Sequence, residues 1–274
     1  MSERSAGAAG RPFGVVCEVQ PPTRPGFGRV QEQVRALSTV ASAFVVPDSH
    51  IGRATVSSVA VAHEVQRLGE RSIACLNSRD RNVLGLRRDL LTAATYGIDR
   101  LLCVYGDRPS AGGRTGDLNV QAMIEEIRSY GSGRDFASSA PFTVGVAARL
   151  GPFPRWKQGA DFVFSQITFS AGELFGWRDS LCFDGPVYAG VLVLRSARSG
   201  AGVAGIEVPP DLAERVAADP VAGIEAACEQ VRAIMDHGGF AGVHLVPLGR
   251  PGELAPRLQA TLAGLSPERV ALAR

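Results

Sequence analysis

Strand-length apolar runs alternate with helix-period stretches along the whole chain, and this alternation constrains the fold more than any motif does. The strand-like runs are Gly14–Val19, Ala43–Val46, Ser72–Leu76, Leu101–Tyr105, Phe142–Ala147, Asp161–Gln166, Pro186–Leu194 and Gly242–Pro247. Between them, helical spacing of apolar residues covers Phe27–Val40, Thr55–Leu68, Asp80–Tyr96, Leu118–Tyr130 and Ala171–Leu181. It returns at Asp211–Ala218, Val221–His237 and Glu253–Ala263. Asp80 reads as an N-cap, and Gly97 as a C-terminal stop, for the third helix. Runs such as Leu101-Leu102-Cys103-Val104-Tyr105 have no polar face, which suits strands covered on both sides in a parallel sheet. Eight such units across about 250 residues are the pattern of a (β/α)8 TIM barrel. The rival is a doubly wound open sheet, which more often opens on a Gly-rich first turn. The first turn here, Gln20-Pro21-Pro22, lacks one.

One crossover breaks the rhythm. Between the fifth and sixth strands lies Ala148-Arg149-Leu150-Gly151-Pro152-Phe153-Pro154-Arg155-Trp156-Lys157-Gln158-Gly159-Ala160. Parallel strands are normally joined by a dozen or more mostly helical residues, and Pro152 and Pro154 oppose a full helix. The fold expected is therefore an α/β (β/α)8 barrel with a stunted fifth crossover helix. Phe153 and Trp156 could cover the gap, or a second copy could, which would make a homo-oligomer. No shift in composition marks a linker, so residues 13–274 read as one domain behind a flexible tail at 1–12.

A content of 45% hydrophobic and 20% charged residues is enough for a large core. The net charge of +2 gives no basic surface for nucleic acid. No apolar run reaches the roughly 20 residues that span a bilayer, so no membrane partner is expected. Cys17, Cys75, Cys103, Cys182 and Cys228 show no C-x-x-C spacing and read as buried free thiols in a reducing, cytoplasmic setting. The four histidines are dispersed, and no metal site is expected.

In a barrel the C-terminal strand ends form one rim, where chemistry is built. The polar residues that fall there are Glu18, Gln20, Asp48, Asn77, Arg79, Asp107, Gln166, His244 and Arg250. Three carboxylates, amides and guanidinium groups fit a polar heterocycle held by an amide and a carboxylate, with another carboxylic acid free to donate a proton. The plainer reading of Asp107 is that it caps the turn after Gly106. His244, the one histidine inside a strand, suits a structural role as well as a functional one.

The residues at these positions resemble the methylenetetrahydrofolate reductase family. Cys17-Glu18-Val19-Gln20-Pro21-Pro22 resembles its F-E-F-F-P-P run, and Arg79-Asp80-Arg81-Asn82 with Gly85-Leu86 resembles R-D-R-N-x-x-G-L. Tyr105-Gly106-Asp107 resembles R-G-D or T-G-D, and Gly159-Ala160-Asp161-Phe162 through Gln166-Ile167-Thr168-Phe169 resembles A-G-A-D-F and T-Q-x-x-F. Ala189-Gly190-Val191 and Gly205-Ile206-Glu207-Val208-Pro209 resemble P-G-I and G-I-x-I-P. The motifs stand in family order from about residue 13 to 250.

The resemblance implies reduction of 5,10-methylenetetrahydrofolate to 5-methyltetrahydrofolate with NAD(P)H, NADH or NADPH, on an FAD-bearing barrel. Glu18 would be the general acid that opens the methylene bridge to an iminium. Asp107, Gln166, Arg250 and Gln20 would hold the folate. Asp48, Cys75, Arg79, Tyr105, Gly106 and Asp107 would lie on the cofactor side. The chain departs from the family mainly on that side: the segment after the fifth strand is short, Cys75 stands where the family has histidine, and Tyr105 stands before Gly106. The implied enzyme is thus an oxidoreductase on CH-NH donors with its flavin altered or absent. Alternatives are a reductase of another imine or iminium, or a non-catalytic folate-binding or regulatory protein.

Overall fold

The computed structural model describes residues 13–196, 198 and 206–264; the 1–12 tail and Gly205 of the G-I-x-I-P landmark lie outside them. Eight strands run in chain order: β1 (Gly14–Glu18), β2 (Ala43–Val46), β3 (Ser72–Asn77), β4 (Arg100–Val104), β5 (Thr143–Ala148), β6 (Phe162–Ile167), β7 (Val187–Val193) and β8 (Gly242–Pro247). Each pairs in parallel with the next, and β8 closes on β1, giving a (β/α)8 barrel. Closure leaves no sheet edge and excludes the open doubly wound alternative. The helices on its outside are α1 (Gly28–Leu37), α2 (Ser58–Arg67), α3 (Val83–Thr95), α4 (Val120–Gly131), α5 (Ala171–Ser180), α6 (Pro210–Ala218), α7 (Ala222–His237) and α8 (Pro251–Ala263).

Strand periodicity sorts the core into two parts. Val15, Cys17, Phe44, Leu76, Leu101, Cys103, Val144 and Val163 face outward into one continuous layer under the helices. Val16, Ala43, Val45, Ile73, Cys75, Leu102, Phe162 and Phe164 point inward and fill the barrel. Gly145 makes this filling possible. A Cβ there would lie 2.1 Å from the Phe162 ring, so the missing side chain is the space that the ring occupies.

The stunted crossover is a 3-10 turn at Arg155–Gly159, with Pro154 as its N-cap residue. Phe153 and Trp156 are half-buried and pack against the outer core, so the chain covers this side of the barrel itself. The N-cap of α3 is Asn82, whose side chain accepts from the Gly85 amide at 2.8 Å, and not Asp80 as expected. Asp80 is engaged elsewhere, by the Arg79 guanidinium. Cys182 also departs from expectation: it is exposed, while the other four thiols are buried. Among the described residues, no helix is long and apolar enough to cross a membrane.

Candidate functional site

Inward parity on each strand selects what faces the C-terminal mouth. On β1, Val16 fills the barrel, so Glu18 two residues on points the same way. On β8 the same parity turns His244 inward, where its ring stacks on Phe164 with centroids 4.7 Å apart. The His244 Nε2 lies 3.5 Å from the Glu18 carboxylate, and the two side chains are 14% and 17% exposed. That nitrogen is buried and has no hydrogen-bond partner, so the contact is close without being aligned as a hydrogen bond. The pair places a second titratable group within reach of the Glu18 carboxyl. Cys75 lies below them in the interior. Burial first, and then the charges of Glu18 and Asp48, hold its thiol well above the usual range, so it stays neutral.

Gln166 owes its place to an irregularity. Pairing of β6 with β7 runs Phe164 to Tyr188 and then Ile167 to Gly190, three steps on one strand against two on the other. The extra residue is a bulge at Ser165-Gln166, and bulges re-aim side chains next to active sites. The Gly190 amide, left without its regular partner, donates to the Ser165 hydroxyl oxygen at 2.9 Å.

A hollow of about 930 Å3 opens at this mouth, and Asp107 and Gln166 both line it. Arg149, Thr168, Ser170, Glu173 and Glu207 contribute its other polar groups. A second hollow of about 580 Å3 adjoins it, bounded by Tyr105, Phe153, Trp156, Lys157 and the first turn of α4. Gln166 and Arg149 line both hollows. Glu18 lies outside both linings, on the β1 side of the same mouth, beside His244, whose ring stacks on Phe164 of β6.

The remaining rim residues form a closed polar network. The Asp48 carboxylate accepts from the Asn77 amide N–H at 3.0 Å, from the Asn77 side chain at 2.7 Å and from Arg81. Arg81 also donates to Asp89 at 2.9 Å. Arg79, only 2% exposed at its side chain, donates to Asp80 at 2.6 Å and to the Asp107 carbonyl at 2.7 Å. Hydrogen bonding from Arg79 holds the Asp80 carboxyl below the usual carboxylate range. Gly106, at φ +85°, passes so close that a Cβ would lie 3.1 Å from both the Arg79 and Asn77 side chains. This network fixes the loop that carries Asp107.

Tyr105 is 59% exposed, and Arg114 lies over its ring at 4.4 Å. Arg250 caps α8 with φ +51° and donates to Glu253 at 3.1 and 3.2 Å; it lines neither hollow. Gln20 is exposed, and its backbone amide donates to Gln33. The structure therefore puts Asp107 and Gln166 on one hollow, leaves Glu18 outside its lining beside His244, and engages Asp48, Arg79 and Arg250 with other partners.

Arg149, Lys157 and Trp156, which line these hollows, were not anticipated from the sequence; all three sit in the short crossover, whose side chains carry no motif. The inward direction of His244 was open to counting, because Val243 and Leu245 on either side are apolar.

Compared with known proteins, residues 8–256 match the family model described as methylenetetrahydrofolate reductase. No curated protein matches the chain. Among solved structures, the chain resembles an uncharacterized protein from Clostridium thermocellum that binds two copies of 5-methyl-5,6,7,8-tetrahydrofolic acid. That match has a TM-score of 0.63 at 10% identity, over 92% of this chain and 96% of that one. It also resembles the long-chain alkane monooxygenase LadA, with a TM-score of 0.59 at 10% identity over 96% and 92%. A third match is DmoA from Hyphomicrobium sulfonivorans, with a TM-score of 0.54 at 10% identity over 91% and 86%. At such identities these likenesses carry the barrel fold alone.

Proposed function

The chain belongs to the methylenetetrahydrofolate reductase family, and from that premise we propose that it reduces 5,10-methylenetetrahydrofolate to 5-methyltetrahydrofolate with hydride taken directly from NAD(P)H. The observation that carries this reading is the single hollow shared by Asp107 and Gln166, with the Glu18 carboxyl at the same mouth. An amide and a carboxylate on the wall of one hollow match the donor and acceptor edges of a pterin.

Glu18 donates a proton as the N10–methylene bond breaks, which leaves an iminium at N5. Hydride leaves C4 of the dihydronicotinamide and forms the new methyl C–H bond. The C=N π pair goes to N5, and NAD(P)+ is released. A positioned general acid contributes about 10²–10⁴-fold to such a step. The His244 ring beside Glu18 suits return of the proton from solvent.

FAD fits this chain poorly. The crossover that would cover a flavin is a five-residue 3-10 turn, and the buried positions Asp48 and Arg79 are held by protein partners. No step is routed through it.

The test is Glu18→Gln in the purified protein. Turnover of 5,10-methylenetetrahydrofolate with NADH should fall about 10²–10⁴-fold while 5-methyltetrahydrofolate still binds. Unchanged turnover would remove the proton-donor role. A second reading, folate binding without reduction, is favoured by the two adjoining hollows and by the Clostridium thermocellum neighbour with its two folates. Under that reading, NADH is not consumed with any folate.

A further inference from the structure

The His244 Nε2 is buried without a hydrogen-bond partner, although the Glu18 carboxylate lies 3.5 Å away. A buried polar atom left unpaired costs free energy and calls for a reason. Strand register sets the approach. β8 pairs His244 with Val16 of β1, two residues before Glu18, so both side chains rise on the inner wall. The ring plane is fixed by the stack on Phe164, at an interplanar angle of 22°. Phe164 is held in turn by the Phe162 and Tyr188 rings, with centroids 5.3 and 5.4 Å away. The packing therefore aims one buried nitrogen at one carboxyl group.

The charged and titratable groups around the pair are otherwise engaged. Cys75 of β3 stays neutral in the interior, and Tyr188 of β7 meets Phe164 edge-on. At the mouth, Asp48 accepts from Asn77 and Arg81, and Arg250 beyond β8 donates to Glu253. Asp107 and Gln166 face the large hollow. Two titratable groups in close contact lose their protons as a pair and not singly. An ordinary carboxyl group is ionised at neutral pH, whereas an ordinary imidazole titrates at about 6.5. A carboxylate favours the imidazolium beside it, so such a pair retains one proton to higher pH than a carboxyl group alone.

Resting on the proposed reduction, we infer that His244 is the positioning residue that keeps the acid loaded: one proton is shared between its Nε2 and the Glu18 carboxyl, and is delivered through Glu18. At rest the proton is stored as imidazolium beside carboxylate. It crosses from Nε2 to the Glu18 oxygen, leaving a neutral imidazole. As the N10–methylene bond breaks, its electron pair stays on N10 and takes that proton, leaving Glu18 as carboxylate. One proton from solvent then reloads the pair. The open contact closes to a hydrogen bond when folate fills the mouth, as catalytic contacts of unliganded enzymes often do.

The test is the pH profile of kcat/KM, with 5,10-methylenetetrahydrofolate and NADH, in His244→Gln and His244→Phe. Glutamine keeps an N–H towards Glu18 but takes up no proton, and phenylalanine keeps the stack on Phe164 without a nitrogen. In both, the alkaline limb should move at least about one pH unit lower. Turnover near pH 7.5 then falls at least about tenfold and recovers as pH is lowered. Binding of 5-methyltetrahydrofolate by isothermal titration should be unchanged. A second measurement needs no His244 variant. In ¹⁵N-histidine NMR of the unsubstituted chain and of Glu18→Gln, the imidazole in contact with the Phe164 ring should give up its proton at lower pH once the carboxylate is gone.

Three results would overturn the inference: an alkaline limb that stays in place in both variants, a loss of equal size at every pH, or a His244 resonance that titrates identically with and without the Glu18 carboxyl. Each leaves the Glu18→Gln turnover experiment standing. Conversely, unchanged turnover in Glu18→Gln, with the His244 titration displaced, would defeat the proposed reaction and not the shared proton.

Discussion

Cys17 and Cys103 sit in the outer core, and burial pushes both thiols up to about 12 from 9.0. Cys75 moves in the same direction inside the barrel. In the unfolded chain these groups ionise near 9.0, so between 9.0 and about 12 the unfolded state binds fewer protons. Their contribution is complete below pH 9 and is lost as pH rises through the folded value. Each thiol is worth about 1.4 kcal/mol per pH unit in that window. Melting temperature should therefore fall steeply above about pH 9, and the Cys17→Ala/Cys103→Ala double variant should fall less steeply. Equal slopes would show that other groups govern the alkaline limb. Asp48 invites a second measurement. Its side chain is 8% exposed and holds Arg81 against Asn77. Asp48→Ala leaves the buried Arg81 guanidinium with Asp89 as its remaining carboxylate and the Asn77 side chain short of an acceptor, and should cost about 1–3 kcal/mol in urea unfolding. If Asp48 served a cofactor instead, stability would hold and NADH binding would drop.

Among the elements, β5 and β6 govern the site together. Gly145 yields its side-chain volume to Phe162, which supports Phe164, which stacks on His244 beside Glu18. Gly145→Ala should overpack the barrel by about 1–3 kcal/mol. Adding Phe162→Leu should restore part of that, because contacting residues couple. Strictly additive losses in denaturant would mean that the two do not share one space. Strand positions and the short crossover were legible in the sequence because continuous apolar runs and two prolines are local signals. The bulge at Ser165-Gln166 was not, because it depends on how β6 registers with β7, a relation between distant segments. The same holds for the rim. Sequence order puts Asp48, Arg79 and Arg250 at strand ends beside Asp107, yet it does not say that Arg81, Asp80 and Glu253 engage them first. The N-cap of α3 shifted from Asp80 to Asn82 for that reason.

At the scale of the whole molecule, closure of the barrel and the covering of its weak side bear on association. The short crossover suggested a bare flank that a second copy could cover. Phe153 and Trp156 fill it from within, and Trp177 of α5 reaches across to donate to the Gly151 carbonyl at 3.2 Å. Among the described residues, the large apolar side chains most open to solvent are Leu84, Leu91, Tyr96 and Tyr105. Three of these lie on or just after α3, and Arg114 covers one face of Tyr105 at the mouth. A stable dimer buries about 800 Å2 per partner around an apolar centre. Two leucines and a tyrosine interspersed with Arg87 and Arg88 are too sparse to supply that centre. Sedimentation equilibrium at micromolar concentration should therefore return the mass of one chain, with or without folate. A dimer that persists on dilution would show that the α3 face associates after all, and Leu84→Lys should then dissociate it without changing turnover.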